Sequence, residues 1–227
     1  KWKQNAITVA GGNGEGKDAN QLNRPIGFYI DNEKTIYIAD HYNHRIVAWK
    51  KNATYGEIVV GEKGKRSGDD QLNQPRKVIV DEANDSLIIA DYANKRVVRW
   101  PRRNGARGQT IIKDVSCTDL TTDKNGYLYV SDDAKHEVRR WKIGENEGVL
   151  VAGGNGCGNG LNQLNQPHFV YVDQEDTVYV SDWKNHRVMK WTKGAKEGII
   201  VAGGQGQGSS LKQLSYPQGI FDDKLSS

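Results

Sequence analysis

The residues best equipped for chemistry stand in a recurring loop. Asp40-His41-Tyr42-Asn43-His44-Arg45 and Asp182-Trp183-Lys184-Asn185-His186-Arg187 share the pattern Asp-x-x-Asn-His-Arg, and Asp91 to Arg96 repeats it with Lys95 in the histidine place. A carboxylate, a carboxamide, an imidazole and a guanidinium so close together could hold a metal, move a proton or clamp an anion. Recurrence argues against all three, because an active site is built once and a structural device is built in every repeat. Asp40 with Arg45, Asp91 with Arg96 and Asp182 with Arg187 are therefore read as staples. The carboxylate is expected to cap the N–H groups of its own turn, and the arginine to grip it bidentately. His44 and His186 inherit the same structural reading.

The other histidines, His41, His136 and His168, stand at different places, one to a repeat, and carry no metal-ligand spacing. No Gly-x-Ser-x-Gly nucleophile turn is present. The runs Ala10-Gly11-Gly12-Asn13-Gly14, Ala152-Gly153-Gly154-Asn155-Gly156 and Ala202-Gly203-Gly204-Gln205-Gly206 look like phosphate loops, but such a loop must open a helix. Here the glycines lead to Gln-Leu-Asn-x-Pro and another strand, so they are read as connections between repeats. The expectation is a protein without catalytic residues, metal or cofactor.

These loops need a scaffold, and the spacing supplies one. Trp49, Trp100, Trp141 and Trp191 recur at intervals of 51, 41 and 50 residues, as do Asp40, Asp91, Asp132 and Asp182. Gln21-Leu22-Asn23-Arg24-Pro25, Gln71 to Pro75, Gln163 to Pro167 and Gln213 to Pro217 mark the repeat openings. Each full repeat holds four short β-prone runs, as in 26–31, 35–40, 45–49 and 57–60, which read as an antiparallel meander. A sheet with two apolar faces must stack, and a radial stack of such sheets is a β-propeller. The expected blades are 21–62, 71–113, 114–154 and 163–204, with a fifth split between 1–12 and 213–227. All 227 residues are expected to form one domain. The third blade lacks the glycine loop and the Gln-Leu-Asn-x-Pro opening, which accounts for its 41-residue interval. Two alternatives stay open: a small ring closed imperfectly, or part of a larger ring.

Composition agrees. Hydrophobic residues make up 36% and charged residues 26%, with 26 glycines and one methionine, which suits turn-rich globular β-structure. No run is long enough to span a bilayer, so no membrane insertion is expected. The net charge of +4 permits a basic face without requiring one. Cys117 and Cys157 make no disulfide framework and are read as free thiols.

With these residues in view, the chain resembles the NHL-repeat propellers. Asn43-His44-Arg45, Asn94-Lys95-Arg96 and Asn185-His186-Arg187 stand where that family carries Asn-His-Leu; the third blade departs, with Lys135-His136-Glu137. The resemblance implies the propeller fold. It leaves function open, because family members bind RNA, bind proteins or sense extracellular signals, and one lyase branch uses metal-bound histidines.

Binding is the preferred expectation. In each blade the loop before the first strand and the loop after the second emerge at the same end of the sheet. These loops carry Arg24, Arg76, Lys77, His168 and Gln218 ahead of the first strands, and His41, Tyr42, Tyr92, Trp183 and Lys184 after the second. They differ between blades while the scaffold does not, which is where repeat proteins hold their specificity. The expected ligand is a protein or peptide. Single-stranded RNA is the alternative, since aromatic and basic residues interleave; a metal-dependent lyase or hydrolase is the other. Open blade edges would favour oligomers.

Overall fold

The computed structural model describes residues 6–61, 65, 67–103 and 107–221. Sixteen strands form four antiparallel sheets of four, each a meander in chain order. The first blade holds β1 (Phe28–Ile30), β2 (Ile36–Asp40), β3 (Arg45–Trp49) and β4 (Glu57–Val60). The second holds β5 (Pro75–Asp81), β6 (Ser86–Asp91), β7 (Arg96–Pro101) and β8 (Gln109–Lys113). The third holds β9 (Cys117–Thr122), β10 (Leu128–Asp132), β11 (Glu137–Trp141) and β12 (Val149–Gly153). The fourth holds β13 (Pro167–Val172), β14 (Val178–Asp182), β15 (Arg187–Trp191) and β16 (Ile199–Gly203). The fold is all-β, with four blades of the propeller type.

The chain divides into two compact units, Lys1–Thr110 and Ile111–Ser227, the division falling within β8. In the first unit, Tyr37, Ala39, Ile46, Ala48 and Val60 of the first blade pack on Val78, Val80, Leu87, Ile89, Val98 and Trp100 of the second. In the second unit, Tyr129, Val138 and Ala152 of the third blade pack on Val170, Val172, Val178, Val180, Met189 and Trp191 of the fourth. Strands buried on both faces explain the near-continuous apolar runs, which a half-exposed sheet would not need.

Each of the four recurring tryptophans is seated against a glycine. A Cβ on Gly56 would lie 2.6 Å from the Trp49 ring, and one on Gly198 would lie 2.6 Å from that of Trp191. Gly108 and Gly148 stand in the same relation to Trp100 and Trp141. The connections that follow are ordered loops. Their glycines enter the left-handed region, and Glu15, Lys65, Cys157 and Gln207 each bridge, parallel, to the leucine of the next Gln-Leu-Asn motif: Leu22, Leu72, Leu164 and Leu214.

The fifth, split blade is not formed. Among the described residues, 6–12 and 213–221 contain no strand; residues 1–5 and 222–227 lie outside them. Ile7, Val9 and Phe221 are 84%, 57% and 77% exposed, so their apolar side chains gain nothing from being ordered as strands. Cys117 is buried and Cys157 exposed, and both are free thiols. No helix among the described residues is long and apolar enough to cross a membrane.

Candidate functional site

The repeated loop forms a buried frame. In the first blade Asp40 Oδ2 accepts from Arg45 Nε at 2.7 Å and from Asn43 Nδ2 at 2.8 Å, while Oδ1 accepts the backbone N–H of Asn23 at 2.6 Å. The second and fourth blades repeat this set. Asp91 takes Arg96, Asn94 and the Asn73 N–H at 2.7, 2.8 and 2.7 Å. Asp182 takes Arg187, Asn185 and the Asn165 N–H at 2.7, 2.8 and 2.7 Å.

Two details differ from the sequence reading. The carboxylate does not cap its own turn: none of Asp40, Asp91 or Asp182 accepts a backbone N–H of the 3₁₀ turn that follows it, only the carboxamide of the turn's Asn. It reaches instead to the Gln-Leu-Asn loop ahead of the first strand. The arginine also grips by Nε alone, because its terminal nitrogens are needed elsewhere. Arg187 donates them to the carbonyls of Asn159, Gly160 and Gln163, and Arg45 to those of Lys17, Asp18 and Gln21. The guanidinium thus satisfies the carbonyls of a glycine loop that has no ladder of its own. Burial pushes the Asp91 and Asp182 carboxyls up, against the hydrogen bonds they accept.

The histidines of the pattern have a separate task. His44, His136 and His186 hold left-handed backbone angles, φ 57°, 57° and 53°. Each accepts at Nδ1 the backbone N–H of the residue before the next proline. His44 takes Gln74 at 3.0 Å, His136 takes Gln166 at 3.1 Å and His186 takes Tyr216 at 3.1 Å. Sequence reasoning missed this clasp, yet a signal was there. Lys95 replaces histidine in the one repeat whose successor lacks the proline loop.

On this frame the variable loop residues meet in pairs. In the first unit Arg24 Nη1 donates to Tyr42 Oη at 2.7 Å, with its guanidinium 5.2 Å from that ring. Arg76 lies over the Tyr92 ring at 3.7 Å. His41 is buried, with Nδ1 3.1 Å from the Pro75 carbonyl, so it is not a surface contact residue. Burial, with lesser contributions from Arg76 and Arg24, pushes its imidazole below the ordinary value. Lys77 is half-buried beside Arg76.

In the second unit His168 stacks on Trp183, centroids 4.5 Å apart and planes 7° from parallel. Tyr216, which the sequence reading did not single out, lies 4.7 Å from Trp183 and 4.5 Å from His186. Lys184 and Gln218 are exposed. At the other end of these sheets a cleft of about 680 Å³ is lined by Tyr129, Arg140, Leu150, Asp176, Trp191 and Lys193, among others. Within it Lys193 pairs with Asp176 at 2.8 Å, and Arg140 lies over Tyr127. Among the described residues no three His, Cys, Asp or Glu side chains converge so as to hold a metal ion.

A family model described as the NHL repeat matches residues 22–49 and 164–191. Two stretches of the chain, in the first and fourth blades, match that repeat. Each matched NHL repeat runs from the leucine of the proline loop to the blade tryptophan, taking in the staple, the clasp histidine and three strands. Among curated proteins no sequence matches this chain.

Solved structures do. A streptogramin B lyase structure aligns with TM-score 0.57 at 10% identity, covering 78% of this chain and 53% of that one. A virginiamycin B lyase from Staphylococcus aureus aligns with TM-score 0.51 at 11% identity, covering 78% and 54%. A protein of unknown function from Bacteroides thetaiotaomicron aligns with TM-score 0.54 at 17% identity, covering 93% and 69%. The NHL chain thus spans about half the length of these lyases. At such identities the likeness is one of fold.

Proposed function

We propose that this NHL-repeat chain is a non-catalytic recognition scaffold, which binds a protein or peptide through the proline loops and Asp loops of its blades. One observation carries the reading. A buried frame of Asp, Asn and Arg, the same in the first, second and fourth blades, holds side chains that change from blade to blade. After the proline stand Ile26, Arg76, His168 and Gln218; after the staple Asp stand His41, Tyr92 and Trp183, with Asp133 in the third blade. Rigid aromatic and arginine side chains on a fixed support lose little entropy on binding, which is what interface anchors need.

The lyases in the comparison share a fold with this chain, and fold does not carry chemistry with it. The histidines here have other work: His41 lies on a carbonyl, His136 receives a backbone N–H and His168 stacks on Trp183. Much of the arginine complement is also bound to carboxylates. Arg99 pairs with Asp81, Arg102 with Glu82 and Asp31, and Arg139 with Glu137. This favours a polypeptide over a nucleic acid.

The test is a peptide-display selection on the immobilised chain. Enriched peptides should bind at least about tenfold more weakly to Trp183→Ala or Tyr92→Ala while thermal unfolding of the variants stays close to that of the parent. Failure to enrich any sequence above the bare support would count against the proposal.

A further inference from the structure

The loop end of the first unit carries two guanidiniums of an unusual kind. Arg45, Arg96, Arg99, Arg102 and Arg103 of this unit each have a carboxylate within ion-pair distance. Arg24 and Arg76 have none among the described residues, and what they do contact is aromatic. Arg24 spends one N–H on the Tyr42 hydroxyl, and Arg76 lies 3.7 Å over the Tyr92 ring with its Nε buried and unpartnered. The staple carboxylates of the same two blades, Asp40 and Asp91, are fully buried and already accept three hydrogen bonds each. His41 links the two: its ring lies 5.1 Å from that of Tyr42, which holds Arg24, and its Nδ1 lies 3.1 Å from the carbonyl of Pro75, the residue before Arg76.

Stacking on a ring fixes a guanidinium in place while leaving its edge N–H groups directed outward. Arg76, set 3.7 Å over Tyr92, and Arg24, held by the Tyr42 hydroxyl, are both without an anion and match planar carboxylates. The ring faces are the other half of the argument. A base stacks only on an open aromatic face, and Tyr42 and Tyr92 each have a guanidinium over one face.

We propose that Arg24 and Arg76 form an anion-recognition patch for the carboxylate side chains of an acidic peptide segment. The proposal rests on the scaffold reading above and names the class of partner for its first unit.

The probe is a fluorescein-labelled octaglutamate peptide, titrated into the whole chain at several salt concentrations. An oligouridylate of equal charge and an octaserine peptide run alongside. Octaglutamate should bind with an affinity that falls with salt, and octaserine should not bind. Arg24→Gln and Arg76→Gln should each weaken octaglutamate at least about tenfold, the scale of a lost charge-assisted pair. Lys51→Gln, an exposed cation in the turn between β3 and β4, should leave it within about twofold. Unfolding temperatures and near-ultraviolet circular dichroism separate lost binding from lost folding. Should a variant unfold, Arg24→Lys and Arg76→Lys replace it; they keep the charge, lose the planar fork and should still weaken binding severalfold.

Equal loss with Lys51→Gln, no loss with either arginine variant, or no binding by the parent chain would each overturn the patch. Tighter binding of the oligouridylate through the same arginines would overturn it in favour of a nucleic acid. If display selection enriches peptides that are not acidic and ignore both arginines, the scaffold reading stands and this one falls.

Discussion

Gln74 donates its backbone N–H to Nδ1 of His44 across 3.0 Å, tying the proline loop of the second blade to the Asp loop of the first. Both residues hold left-handed backbone angles, φ 57° for His44 and 52° for Gln74. Two strained residues thus face each other, and the hydrogen bond offsets part of the strain. The same relation recurs at His136 with Gln166 and His186 with Tyr216. The histidine of the NHL pattern is in this chain a clasp between consecutive repeats.

Because Nδ1 accepts, His44 must be neutral with its proton on Nε2. Burial pushes its imidazole below the ordinary 6.5, with Lys65 and Lys17 adding and Asp91 opposing. His41 is shifted in the same direction. The unfolded chain therefore binds more protons than the folded one below pH 6.5. The stabilisation is complete above that pH and is lost as pH falls through it toward the folded values. Urea midpoints measured from pH 8 to 5 should decline below about pH 6.5, and His44→Gln should flatten part of the slope. A pH-independent midpoint, or an unchanged slope in the variant, would refute the clasp as described.

The staple is buried, so breaking it should cost far more than a surface ion pair. Asp182→Ala leaves Arg187 without its carboxylate and Asn165 with an orphan N–H, a loss of about 3–5 kcal/mol. Asp40→Ala should behave alike, because the geometry is the same. Urea denaturation monitored by tryptophan fluorescence gives the number, and a loss under about 1 kcal/mol would show that the frame is decorative.

Gly198 is a place where one methyl group matters. Its added Cβ would lie 2.6 Å from the Trp191 ring, in a core with no slack. Gly198→Ala should destabilise by about 1–3 kcal/mol through overpacking. Gly206→Ala, with nothing near its Cβ but a φ of 76°, separates steric crowding from backbone strain. Thermal unfolding of the pair should show distinct deficits, with that of Gly198→Ala sensitive to a compensating Trp191→Phe and that of Gly206→Ala not.

The thiols give a test of burial. Cys157 is exposed and Cys117 is 0% exposed. A colourimetric thiol reagent should titrate one thiol in the native chain and the second only after denaturant. Two fast equivalents, or a disulfide by mass spectrometry, would contradict the packing of β9.

The sequence by itself determined the four blades. Near-continuous apolar runs bounded by turn residues and repeated with Asp and Trp leave few other folds, since such sheets must cover each other's faces. It also marked Asp40, Asp91 and Asp182 with their arginines as structural, because recurrence is visible in one dimension. It overreached at the ends, where 213–221 copies the pattern of a first strand but finds no sheet to join.

Only the tertiary structure decided what each side chain touches. Asp40 reaches back 17 residues to Asn23, and His44 reaches forward 30 residues to Gln74. Neither distance is written in a local pattern. The structure also sorted the variable loop residues. His41 went inside on a carbonyl, Arg76 onto Tyr92 and His168 onto Trp183, because residues on different strands share one end of a sheet. A repeat declares its architecture wherever it recurs, whereas a pairing between repeats exists only once the sheets have packed.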